Sequence, residues 1–359
     1  MQKKRRVEAL DYIRVLATFL IFLFHWNIFF AIEDIQTDNL FVMWFANGNI
    51  AYTAVSLFFV LSGASLLYSN GNPEQPQDFS FHPLSYAKKR FLSIYPSYYI
   101  AYLMAFLFTF GIQHYAFATE PKYLLFSLIG FDGYLNYMFP TLNFVGEWFV
   151  GCIVLIYLCF PLLLYGVKKH PIITGIVAVL LFPLYLKFYF LPGPVAHCFL
   201  TRIPEVLFGM YFAQYFLLKR NKWWEGWGKW LVAGIALILH CIILFVPMDI
   251  PEPIENIWLG IPAFLVLYVL TDFLAPKIGK AGKIITFLSG ISFEFFLLHH
   301  TFMDDFIHKM IKGATSLSLK HNLFLFAIYL ILVLAMATGV HYLVRILTKI
   351  LPARLHKDS

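Results

Sequence analysis

The chain has 359 residues, 60% of them hydrophobic, 19% aromatic and only 13% charged, with a mean hydropathy of +0.72. A soluble domain averages about 45–50% apolar and about 25% charged residues, so the composition excludes an ordinary water-soluble enzyme and points to a chain embedded in the lipid bilayer. The net charge of +7 is distributed as topology determinants rather than as a nucleic-acid surface, and no nucleic-acid partner is expected.

Apolar runs long enough to cross the hydrocarbon core as helices fall at roughly 13–31, 50–69, 92–112, 148–166, 172–191, 200–218, 230–247, 257–273, 284–302 and 323–344. The expected fold is therefore an all-α integral membrane protein of about ten transmembrane helices, a single membrane domain over 1–359 with no soluble appended domain. With a cytoplasmic N-terminus, the inner segments hold 20 of the 27 basic residues. These are Lys3, Lys4, Arg5 and Arg6; Lys88, Lys89 and Arg90; Lys168 and Lys169; Lys219, Arg220, Lys222 and Lys229; Lys277, Lys280 and Lys283; and Arg345, Lys349, Arg354 and Lys357. The outer segments hold Lys122, Lys187, Lys309, Lys312 and Lys320. This asymmetry obeys the positive-inside rule and predicts both termini in the cytoplasm and a multi-pass protein of the plasma membrane. An eleventh apolar stretch, Tyr123 to Phe131, is too short to span and would reverse the asymmetry if it did; it reads as a re-entrant or interfacial piece of an outer loop. No cleavable signal peptide is expected, because the apolar run after the basic start is too long and no small-residue cleavage site interrupts it. The cysteines (Cys152, Cys159, Cys198 and Cys241) have no metal-ligand spacing, and no metal is expected.

Charged groups at membrane depth cost at least about 2.5–3.5 kcal/mol each on insertion scales, so ionisable residues retained there face a partner, a cavity or a path. The first span carries two, Arg14 about one turn from the inner edge and His25 eleven residues further, about 16 Å along a helix. Arg14 can snorkel to headgroup phosphates; His25 lies too deep for that and is either an interhelical hydrogen-bonder or a working imidazole. Ser62 and Gly63 in the second span permit close helix approach. Lys88, Lys89 and Arg90 cluster at the entrance of the third. Trp148 opens the fourth. In the sixth, Arg202 and Glu205 share a helix face. The ninth carries Glu294 and ends on His299 and His300. The remaining histidines, including His114 and His356, are assigned no chemistry.

In order along the chain, these stretches resemble the acyltransferase-3 family of integral membrane acyltransferases. "LDYIRVLATFLIFLFH" is similar to the family's first helix, with Arg14 and His25 on its Arg-x10-His signature. "FFVLSG" resembles the second-helix motif. "KRFLSIYPSYY" resembles the basic entrance motif through Arg90, Tyr95 and Pro96, and "EWFVGCIVLIYLCFPLL" the tryptophan helix through Trp148, Tyr157 and Pro161. "RIPEVLFG" and "SFEFFLLH" resemble two later landmarks. Ser93 replaces the entrance motif's second arginine, and Ile153 a glutamate common after the tryptophan; the latter points toward the branch that modifies exopolysaccharides or surface antigens.

The resemblance implies a membrane-bound O-acyltransferase that moves an acyl group, most simply acetyl, from cytoplasmic acyl-CoA to a hydroxyl of a cell-envelope glycan or lipid-linked saccharide. It implies His25 and Arg14 as catalytic residues, with His25 as general base or transient acyl carrier. Arg90, Lys88, Lys89, Ser62 and Gly63 would receive the donor, since phosphates favour Arg. Arg202, Glu205, Trp148 and His299 would meet the substrate or its oxyanion. The alternative class is a transporter of a polar solute with Arg14, His25, Arg202 and Glu205 along its pathway.

Overall fold

The computed structural model describes residues 6–71, 78–112, 120–219 and 222–355. Lys3, Lys4, Arg5, Arg220 and Lys357 of the topology argument, and His114 and His356, lie outside the described residues. The helices are α1 Glu8–Ile32, α2 Ile50–Asn70, α3 Pro83–Phe106, α4 Leu124–Ile129, α5 Asp132–Leu135, α6 Glu147–Lys169, α7 Pro171–Lys187, α8 Ile203–Phe212, α9 Lys229–Phe245, α10 Glu252–Ile278, α11 Ala281–Gly290, α12 Ser292–His299, α13 Met303–Ile311 and α14 Leu319–Leu355. No strand occurs among the described residues. Among the described residues the protein is all-α and carries seven helices long and apolar enough to cross a bilayer, or eight if α11 and α12, bent by 56°, make one span.

Those seven overlap seven of the expected spans: Glu8–Ile32, Ile50–Asn70, Pro83–Gly111, Glu147–Lys169, Trp224–Phe245, Glu252–Ile278 and Leu319–Lys349. The other three are helical but shorter or interrupted. The 172–191 run ends as a helix at Lys187, 17 residues long. The 200–218 run is the ten-residue α8 continued by a π-helical turn, Ala213–Leu218. The 284–302 run is broken at Ile291 between α11 and α12. Helix starts follow local chemistry. Asn49 caps α2 by accepting from the amides of Ala51 (2.9 Å) and Tyr52 (3.3 Å), and prolines open α3, α7 and α8, where a missing amide proton costs nothing. Because α3 starts at Pro83, nine residues before the apolar run, Lys88, Lys89 and Arg90 lie on the helix itself.

Two compact units are present. The first comprises Met1–Ile21, Val42–Phe81 and Leu155–Ser289. Its core joins Ile13, Leu57, Val60, Leu61, Phe212, Phe264 and Val269, and α2 packs on both α8 and α10. That packing relies on missing side chains. A Cβ on Gly63 would run into the Val206 carbonyl, one on Gly209 into the Val60 carbonyl, and one on Gly260 into Ser56. Backbones that close recover dispersion energy where lipid supplies no hydrophobic drive.

The second unit comprises Phe22–Phe41, His82–Val154 and Gly290–Ser359. Its interior is ring against ring. Phe22 meets Phe295 edge-on at 5.3 Å and Phe326 at 5.2 Å, and Trp26 meets Phe326 at 5.5 Å while donating to Asn322 at 2.7 Å. The expected short piece Tyr123 to Phe131 contains α4, held by a ladder of tyrosines on α3. Tyr98 donates to the Ser127 carbonyl (2.9 Å), Tyr99 to Leu128 (2.8 Å) and Tyr95 to Ile129 (3.0 Å), while Tyr102 donates to the Ser127 hydroxyl (2.8 Å). Positions 95, 98, 99 and 102 share one helix face. They satisfy the last carbonyls of a helix too short to satisfy them itself.

Candidate active site

His25 lies on α1 and His299 at the end of α12, both in the second unit. Their rings meet through His25 Nδ1 and His299 Nε2 at 2.8 Å. The ring planes differ by only 5° with centroids 5.0 Å apart, about what two ring radii plus the N···N contact give. The imidazoles therefore lie edge to edge in one plane, an in-line hydrogen bond rather than a face stack.

The proton positions in this pair follow from what lies behind it. His299 Nδ1 sits 2.8 Å from the Phe296 carbonyl oxygen, which can only accept, so that nitrogen carries its hydrogen. In neutral His299 the other nitrogen, Nε2, is bare and accepts from His25 Nδ1–H. In neutral His25 the remaining nitrogen, Nε2, is then also bare. A lone pair is thus fixed on His25 Nε2 by a backbone carbonyl two hydrogen bonds away. His299 is 1% exposed, its carbonyl accepts from Tyr329 at 2.7 Å, and Phe22 and Phe295 flank its ring, so it has little freedom to turn.

His25 Nε2 points toward Glu147, whose Oε1 is 3.9 Å away; the same oxygen lies 3.5 Å from His300 Nδ1. Glu147, the first residue of α6, takes a left-handed backbone (φ 44°) directly after Gly146 (φ 79°). For a glutamate this is a strained conformation, costing on the order of 1–2 kcal/mol, which places its carboxylate at the site. A small open pocket lies here, lined by residues that include Asn143, Phe144, Glu147, Phe296 and His300. Glu147 was not singled out from sequence, and His300 was named there without a role. A glutamate at the edge of a span reads as an ordinary solvated carboxylate, and vicinal histidines at a span end read as interfacial.

Among the other expected residues, Trp148 is half-buried beside Glu147. On α3, Lys88 and Lys89 are exposed, and Arg90 is half-buried over the Tyr86 ring at 5.8 Å. These belong to the same unit as His25 and His299. Arg14, Ser62, Gly63, Arg202 and Glu205 belong to the other. The Arg14 guanidinium is not spent on lipid headgroups: it donates to Ser289 (3.0 Å) and Ser65 (3.4 Å) and lies 3.5 Å from Asp11. Asp11 also pairs with Arg6 and accepts from Ser289 at 2.7 Å. Ser62 is half-buried, and Gly63 is occupied in the α2–α8 backbone contact. Arg202 and Glu205, 3% and 0% exposed, pair at 3.3 Å. Glu205 also accepts from Ser56, and Arg202 lies over the Phe59 ring at 5.3 Å.

The family model described as an acyltransferase domain matches residues 7–343, nearly the whole chain. The protein belongs to the acyltransferase-3 family. Comparison with curated proteins and with solved structures gives no match. A membrane acyltransferase is thus the established class, and membership of this family does not favour the transporter alternative.

Proposed function

We propose that this protein is an O-acyltransferase of the plasma membrane that moves an acyl group, acetyl in the simplest case, from cytoplasmic acyl-CoA to a hydroxyl of a cell-envelope or exported glycan. The single observation that carries the reading is the in-line His25–His299 pair, which leaves a bare Nε2 on His25 beside an open pocket. His25 Nε2 takes the proton of the acceptor hydroxyl as its oxygen attacks the thioester carbonyl. The tetrahedral intermediate collapses, the C–S bond breaks, and the thiolate of CoA recovers the proton from His25. His299 touches no reacting atom in this scheme; it is a positioning residue that keeps the lone pair on the reacting nitrogen. Asn143 and the ring faces of Phe144 and Phe296 suit a polyhydroxylated acceptor, which offers hydroxyls at its edges and C–H groups on its faces.

Ten crossings with both ends cytoplasmic accommodate this chemistry. They set Lys88, Lys89 and Arg90 at the inner entrance of α3, where the phosphates of CoA arrive and a guanidinium binds them by charge-assisted hydrogen bonds. In this reading Arg14, engaged by Asp11, Ser65 and Ser289, orders the first turns of α1, and the Arg202–Glu205 pair holds its own unit together.

The test is thioester chemistry. Purified full-length protein in nanodiscs, supplied with labelled acetyl-, propionyl- or succinyl-CoA and a cell-envelope glycan fraction, should release free CoA and pass the label to the glycan. Arg90→Ala should raise the donor KM about 10–100-fold, the worth of hydrogen bonds to a charged group. No thioester consumption with any donor would sink the reading, and an unchanged donor KM would remove Arg90 from it.

A further inference from the structure

The proposed function uses one nitrogen of His25 and leaves the company around it unexplained. Three donor atoms converge there: His25 Nε2, a Glu147 carboxylate oxygen and His300 Nδ1, all within 4.8 Å of one another. We infer that His25, Glu147 and His300 form a binding site for a divalent transition metal, zinc above all, and that the bound ion switches transfer off by occupying the base.

The donor set selects the metal. Two imidazoles and one carboxylate suit zinc, iron(II), copper or nickel, whereas magnesium and calcium take oxygen ligands. With zinc–ligand bonds of about 2.1 Å at tetrahedral angles, donors stand roughly 3.4 Å apart. His300 Nδ1 to Glu147 Oε1 is 3.5 Å, and His25 Nε2 to the same oxygen is 3.9 Å. Closure therefore needs only small side-chain adjustments, and the His300 side chain, 59% exposed, is free to make the largest of them. The surroundings fit as well. A metal-bound histidine commonly donates its other ring N–H to a fixed acceptor, which orients the ring. His25 already does so, through Nδ1 to His299, itself fixed by the Phe296 carbonyl. The strained backbone of Glu147 (φ 44°) holds the third ligand in place, and the adjoining pocket, lined by Glu147 and His300, leaves a fourth position for water.

This inference rests on the reading of His25 as base only for its consequence, since the site itself is a matter of coordination. Cobalt(II), which takes zinc sites and absorbs visibly when tetrahedral, separates the two. The full-length protein in nanodiscs, freed of metal with a chelator, should develop an intense visible band on cobalt titration. Zinc should abolish that band, and magnesium should leave it. Glu147→Gln and His300→Ala should each weaken cobalt binding at least tenfold while remaining monodisperse, and stoichiometric zinc should stop CoA release in the wild type. No band in the wild type, or variants that bind cobalt as it does, overturns the site, even if His25→Ala is inactive and the base reading therefore stands. A wild type that binds zinc fully and still transfers acyl groups overturns the switch, and with it the role of His25, while leaving the metal site in place.

Discussion

The two units bury ionisable groups in pairs, with opposite outcomes. In the first, Arg202, just before α8, and Glu205, in its first turn, meet with 3% and 0% of their side chains exposed. The ion pair is supported by the Ser56 hydroxyl and the Phe59 ring. Each charge answers the other. In the second, His25 and His299 share one hydrogen bond, and the chain of donors that begins at the Phe296 carbonyl runs out at His25 Nε2. That atom faces a pocket rim instead of a partner within hydrogen-bond range. Burial of a titratable group is common to both places and so does not mark a site. A lone pair that faces a pocket does; Glu205 Oε2 also lacks a hydrogen-bond partner, but it is fully buried.

The sharpest way to break this contrast is His25→Ala. Loss of a general base costs about 10²–10⁴-fold in rate, so CoA release should fall to near background. The detergent melting temperature should stay close to wild type, because the ring meets His299, His300 and Phe24 rather than the Phe22–Trp26–Phe326 aromatic core. Activity within tenfold of wild type would place the base elsewhere. In the first unit the effects should reverse. Arg202→Met strands a buried carboxylate and should cost about 3–5 kcal/mol of stability, whereas the double variant Arg202→Met, Glu205→Leu should recover most of it, since a buried pair and a well-packed apolar pair are often equivalent. Melting curves and activity per folded molecule would check both. A double variant that is stable but inactive would move this pair into the chemistry.

Hydropathy made the seven long spans legible because each holds an apolar α-helical stretch of at least 17 residues, even where a π-helical turn adjoins it, as at Leu107–Ile112 and Trp224–Gly228. The same signal ran through 200–218 and 284–302 without sensing that helical hydrogen bonding changes at Ala213 or breaks at Ile291; composition does not record backbone geometry. The site was half legible. His25 stood out because an imidazole at that depth must bond to another helix or do chemistry; it does bond to His299 on α12, and what the sequence does not display is the nitrogen left over. His299 was picked out too, though as an oxyanion contact; the tautomer argument needs the Phe296 carbonyl, which no side-chain pattern displays. Glu147 could not be seen, since a carboxylate at a span end is cheap and its distinction lies in its φ angle. Gly63 was legible in its simpler sense: read as permitting close helix approach, it lies against the Val206 backbone.

The role given to His299 sharpens the comparison further, at smaller cost. His299→Ala removes one hydrogen bond to His25, a loss of about 1 kcal/mol, and frees the ring to take the wrong tautomer. kcat should fall about tenfold with the donor KM unchanged. His299→Gln, whose amide oxygen can still accept from His25 Nδ1–H, should recover part of the loss. Equal defects in both variants, or a shift confined to KM, would mean that His299 merely packs.

The smallest expected effect tests whether the second unit's rings are fixed by their hydroxyls as well as by their faces. Tyr98 is buried, and its hydroxyl lies within reach of both the Ser127 carbonyl (2.9 Å) and the carboxylate of Asp132 (3.2 Å), itself 1% exposed. Tyr95 is half-buried and serves only the Ile129 carbonyl. Tyr98→Phe should therefore cost about 1–3 kcal/mol, the price of leaving buried acceptors short of a donor, and Tyr95→Phe about 0.5 kcal/mol, because water can replace an exposed bond. Hydrogen exchange should report the same order locally, with protection at Gly130 and Phe131, whose amides bond back into α4, falling more in Tyr98→Phe. Equal losses would mean that α4 is held by its apolar face alone, and that only the ring stacking distinguishes this unit from the glycine-packed one.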